Sequence, residues 1–98
     1  MLVGPLHLNR QTKQATTSMG TKLYIDQKEF DALEILAEQE GETVSFERLG
    51  TEQPKLEHLI GQVECAGQGF MWIEHRPGEG YTFHTKWADS LKPLSKVR

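Results

Sequence analysis

The chain has one cysteine in 98 residues, Cys65. A lone cysteine cannot close an internal disulfide, so this is not a stapled secreted scaffold, and a reducing, cytoplasmic setting is expected. Long apolar runs are missing too. No stretch approaches the ~20 residues that a membrane-spanning helix needs, so no membrane association is expected. The N-terminus lacks a basic segment leading into an apolar core, which argues against a secretory signal. No internal repeat or low-complexity segment occurs. Basic charge is scarce: 11 Lys and Arg stand against 14 Asp and Glu, a formal net charge of −3. The deficit is uneven. Residues 1–53 carry five cations against nine carboxylates, with the acid concentrated from Asp26 to Glu52, whereas residues 54–98 carry six against five. His58, His75 and His84 can add positive charge to that second half below about pH 6.5.

What remains is an ordinary composition, 37% apolar and 26% charged, of a length that builds one domain around one modest core. Its organising stretch is residues 55–83. Leu56, Leu59, Ile60 and Val63 recur at helical spacing and give one apolar face. Gly67 and Gly69 end that helix. Residues 70–75 are aromatic and β-branched, Arg76-Pro77-Gly78-Glu79-Gly80 turns, and residues 81–84 run back. An amphipathic helix therefore feeds a hairpin.

Upstream, residues 3–9 alternate loosely and predict a strand. Residues 14–18 predict a polar edge strand rich in threonine, and residues 21–25 a third strand. Together they make a small antiparallel sheet that needs a helix on one face. That helix begins at Asp26, a natural N-cap, with Glu29 completing a capping-box pattern. Phe30, Leu33, Leu36 and Ala37 form its main apolar face, widened by Ala32 and Ile35. Asp31, Glu34 and Glu38 lie opposite as a solvated side. Gly41 stops it. Ser45 caps a brief second helix, 46–49, ended by Gly50. Pro54 suits the first turn of the third helix, 54–66. Its outward residues are His58, Gly61, Gln62 and Cys65, flanked by Lys55 on one side and by Glu57 and Glu64 on the other. In the hairpin, Phe70, Trp72, Tyr81 and Phe83 are expected to pack inward for the most part, alternating with Met71, Glu74 and His75. Trp87 is expected to fold back as a lid and the last residues to form a loose tail. The division is thus 1–86 as the domain and 87–98 as the tail.

Catalytic and metal chemistries find little support. His58 and Cys65 lie seven apart on one helix face, yet a zinc site needs about four ligands, so neither metal nor cofactor is expected. No Ser-His-Asp or Cys-His constellation forms, and no enzyme is expected. The glycines of the hairpin tip do not sit between a strand and a helix, so they serve a turn and not a phosphate cradle.

The order of elements resembles the C-terminal effector domain of OmpR/PhoB-type response regulators over about residues 3–84. Three stretches carry the resemblance. Residues 3–9 with Lys13 are similar to that family's opening strands. Residues 23–49, with Lys28-Glu29-Phe30 and Leu33 followed at family spacing by Gly41 and Val44-Ser45, are similar to its first helix, connector and second-helix start. Residues 73–83, with Gly78, Gly80 and Tyr81 on its Gly-x-Gly-Tyr, are similar to its wing. The resemblance implies an α+β fold: a winged helix-turn-helix with a small N-terminal antiparallel sheet, three helices and a C-terminal β-hairpin wing. It also implies a cytoplasmic DNA-binding transcription regulator of a two-component system, whose third helix enters the major groove while the wing touches the backbone or minor groove.

The partners so implied are double-stranded DNA, RNA polymerase or another regulator, and a second copy of the chain. The departures are specific. Only about six residues separate Leu49 from Leu56, shortening the family's loop between second and third helices. Gln62, Glu64, Cys65 and Ala66 stand where the family carries basic residues, and Pro77 stands at its wing arginine, beside Arg76. No receiver domain accompanies the stretch, so a fragment or a stand-alone domain is expected. On this basis Gln62 and His58 are assigned to base edges, and Lys55, Arg76 and His75 to phosphates. The competing expectation is a degenerate winged-helix protein-interaction module that no longer binds DNA.

Overall fold

A computed structural model describes residues 2–86; Trp87 and the tail lie outside the described residues. The N-terminal sheet has three antiparallel strands, β1 (Leu2–Val3), β2 (Leu6–Asn9) and β3 (Gln14–Thr17), in the order β1-β2-β3. The predicted strand over residues 3–9 is two strands. Gly4-Pro5 turns the chain back so that Val3 pairs with Leu6; proline has no N–H to give a ladder, which favours a break there. The predicted third strand at 21–25 contributes a single bridge, Lys22 to Thr16, extended by Leu23 N–H to the Ala15 carbonyl at 2.9 Å.

Helix α1 (Gln27–Glu38) starts as the sequence predicts, with Asp26 and Glu29 forming a reciprocal capping box. Phe30, Leu33 and Leu36 are fully buried. Its acidic side is more than solvated. Glu34 and Glu38 pair with Arg10, and Asp31 lies 3.2 Å from Lys13, tying α1 to the β2–β3 turn. Strand β4 (Thr43–Val44) leads to α2 (Phe46–Leu49), capped by Ser45 and closed by left-handed Gly50. Helix α3 (Gln53–Gly67) follows, then β5 (Met71–Arg76) and β6 (Gly80–Thr85). A second antiparallel sheet runs β4-β6-β5, with Val44 opposite Tyr81 and Ile73 opposite Phe83.

One core joins these layers: Leu6, Leu8 and Ala15 from the first sheet, the apolar face of α1, Leu56, Leu59 and Val63 from α3, and Met71, Ile73, Tyr81 and Phe83 from the hairpin. The inward phase of β5 is one residue off the predicted one. Met71 and Ile73 are buried, whereas Phe70 is exposed and Trp72 only half-buried. A Cβ at Gly67 would lie 2.5 Å from the Met71 side chain, so the missing side chain at the end of α3 is the space that Met71 fills. Trp72 instead stacks on His84, ring centroids 5.3 Å apart. No described helix is long and apolar enough to cross a membrane.

Candidate nucleic-acid interface

Helix α3 lies across the core with its outer side free. Leu56, Leu59, Val63 and Ala66 point inward, while Pro54, Glu57, His58, Gly61, Glu64, Cys65 and Gln68 are exposed. Its crest therefore carries little side chain at its centre, where Gly61 sits. A methyl group added there meets nothing within 4 Å. Gly61→Ala is expected to stabilise the domain by about 1 kcal/mol through helix propensity alone, seen as a higher midpoint in urea unfolding.

The margin of α3 that faces α1 is polar, with basic side chains set against carboxylates. Lys55 Nζ donates to Asp26. That hydrogen bond, with a second from Glu29 N–H, holds the Asp26 carboxyl below the usual range, and the same contact raises the Lys55 ammonium. One turn on, His58 Nδ1 lies 2.5 Å from Glu29 Oε2. One further turn on, Gln62 Oε1 accepts the Tyr24 N–H at 3.0 Å. Lys55, His58 and Gln62 thus form one seam along the entry to α1. Lys22, Tyr24 and Lys28 extend it: all three are exposed, Lys22 sits over the Tyr24 ring, and Lys28 shares a hollow with Lys55.

The opposite margin faces the wing and is acidic. Glu57 is near enough to Tyr81 to add to the rise that burial imposes on its phenol. Between α2, the start of α3 and the hairpin runs a cleft lined by Phe46, Glu47, Gln53, His75, Arg76 and Tyr81. His75 stacks on Tyr81 at 4.5 Å, nearly parallel. Arg76 is exposed and lies 3.4 Å from Glu74. The Glu74 carboxyl is held below its usual range, first by its hydrogen bond to His84 and then by Arg76.

The five residues assigned from sequence therefore fall in two groups, Lys55, His58 and Gln62 on one margin of α3 and His75 and Arg76 on the wing. All five are engaged by neighbours in the same chain. Sequence reasoning passed over Tyr24 and Phe46, which are 70% and 42% exposed. Two large aromatics held out of the core beside the crest of α3 are a signal, but an isolated Tyr in a predicted strand does not announce its exposure.

No family model and no curated protein matches the chain. Among solved structures it is similar to the DNA-binding domain of CpxR from E. coli, at 24% identity and a TM-score of 0.67, over 87% of this chain and 95% of that one. The chain thus shares the winged-helix architecture of that solved domain: three helices, an N-terminal antiparallel sheet and a C-terminal β-hairpin wing.

Proposed function

We propose that the domain binds double-stranded DNA as the effector part of a transcription regulator, with α3 in the major groove and the wing on the backbone or minor groove. The observation that carries this reading is an exposed α3 crest lying next to a protruding hairpin, in a fold similar to a solved DNA-binding domain. Lys55 and Arg76 contact phosphates, joined by Lys22 and Lys28 on the margin that faces α1, and His75 contacts the backbone from the wing. These contacts fix register without reading sequence. Gln62 reads an adenine edge once it releases the Tyr24 N–H, and His58 reaches a major-groove acceptor. The domain acts as a dimer on repeated half-sites, in the cytoplasm, and answers to RNA polymerase or another regulator.

The test is retention of a labelled random-duplex pool by the full chain. About four phosphate contacts give a salt slope of about −3 to −4, so affinity falls roughly a hundredfold between about 50 and 200 mM salt. Lys55→Glu and Arg76→Glu are each expected to abolish retention. Retention unchanged by either would remove that residue from the interface, and no retention at low salt would end the DNA reading.

The acidic margin favours a second reading. Glu47, Glu57, Glu64 and Glu79 are all exposed, on the helices and hairpin tip that border the cleft, and phosphate is repelled by them. A winged-helix module that binds a protein in place of DNA fits that charge. The duplex-retention experiment separates the two.

A further inference from the structure

The two carboxylates of the α1 capping box are each used twice. Asp26 Oδ1 accepts the Glu29 N–H at 2.8 Å, and its Oδ2 accepts from Lys55. Glu29 Oε1 accepts the Asp26 N–H at 3.0 Å, and its Oε2 lies 2.5 Å from His58 Nδ1. The cap thus turns two anionic oxygens outward, toward an ammonium and an imidazole one helical turn apart. Phosphate oxygens would meet those side chains in the same way, through charge-assisted hydrogen bonds. The partners also differ in freedom. The Glu29 side chain is 5% exposed and that of His58 is 52%, so the imidazole can swing outward and the carboxylate cannot follow it.

We propose that Asp26 and Glu29 act as an internal stand-in for phosphate, occupying Lys55 and His58 in the free domain and holding down its affinity for DNA until the duplex displaces them. The inference rests on the DNA reading above and adds to it the residues that set affinity. Binding exchanges one set of anionic oxygens for another, so the domain gains from Lys55 and His58 only the difference between the two. Asp26 and Glu29 are positioning residues: they touch no DNA and act through the Lys55 and His58 side chains.

Isosteric amides separate this role from capping. Asparagine is as good an N-cap as aspartate, and glutamine serves at the third helical position of a capping box. In Asp26→Asn/Glu29→Gln the helix start is therefore kept and the outward charges are removed. The full chain carrying this pair is expected to bind the random-duplex pool about five- to tenfold tighter. The comparison is Glu38→Gln/Glu42→Gln, which removes the same two charges from exposed sites at and beyond the far end of α1. Adding Lys55→Gln/His58→Gln to the amide pair is expected to erase the gain. A gain no larger than that of the comparison pair, or one that survives loss of Lys55 and His58, overturns the proposal. Should the amide pair fail to fold, Asp26→Asn alone carries the same test, because buried Glu29 is untouched. Retention by the unaltered chain with no gain in the amide variants removes the interlock and leaves the DNA reading standing. No retention by any of these proteins at low salt removes both.

Discussion

Gly80→Ala is expected to destabilise the domain by about 3–4 kcal/mol, a large share of the 5–15 kcal/mol typical of small domains. Two causes add. The backbone at Gly80 has a φ of +143°, a conformation open to glycine and strained for any residue with a Cβ. The added carbon would also sit 2.0 Å from the Val44 carbonyl oxygen and 2.9 Å from the Ser45 Cα. Neither neighbour is a side chain that can rotate away; both belong to the chain that enters α2, and Val44 is paired with Tyr81. Either β4 lifts from β6 or the tip of the hairpin deforms. Gly78 lies two residues away at φ +80° with nothing within 4 Å of its missing Cβ. Gly78→Ala therefore incurs the conformational term alone, about 1 kcal/mol. Urea unfolding of the two variants separates steric from conformational cost, and equal midpoints would refute the contact with β4.

Phe30→Ala is expected to cost about 3–5 kcal/mol, by loss of transfer energy plus the cavity left behind. The ring is fully buried and is among the largest core side chains. It has a further partner in Lys13, whose ammonium lies 5.3 Å from the ring centroid. Lys13 also pairs with Asp31, so removal of the ring loosens the junction of the N-terminal sheet and α1 as well as the core. Phe30→Leu refills most of the volume and is expected to cost about 1 kcal/mol. Denaturant midpoints check both values, and a loss near 1 kcal/mol for the alanine variant would place the ring at a site able to collapse.

The parts of this fold that could be read in advance are those whose cause is local. Asp26 and Glu29 announce a capping box because donor and acceptor lie three residues apart. Ser45 and Gly50 bracket α2 for the same reason. The misreadings arise where distant chain decides. Side-chain size favoured Phe70 and Trp72 as inward residues, yet the space at Gly67 admits Met71, and Trp72 finds its stacking partner on the neighbouring strand. Alternation over residues 3–9 hid the reversal at Gly4-Pro5, because a strand broken by a tight turn keeps a similar pattern of apolar residues. The outer side of α3 was legible from its period. What could not be read was that Lys55, His58 and Gln62 are already held, since their partners Asp26, Glu29 and Tyr24 lie 29, 29 and 38 residues away. Helical phase says which way a side chain points, and only the tertiary fold says what stands there.

The wing takes its third strand from outside the hairpin. Gly41 donates to the Phe83 carbonyl at 2.9 Å, and the Thr43 and Thr82 hydroxyls meet at 2.8 Å. The hairpin is thus bonded to the short link behind α1 as well as closed at its own tip. Altering the length of that link would steer the finger as a rudder does, leaving every residue of the finger itself unchanged.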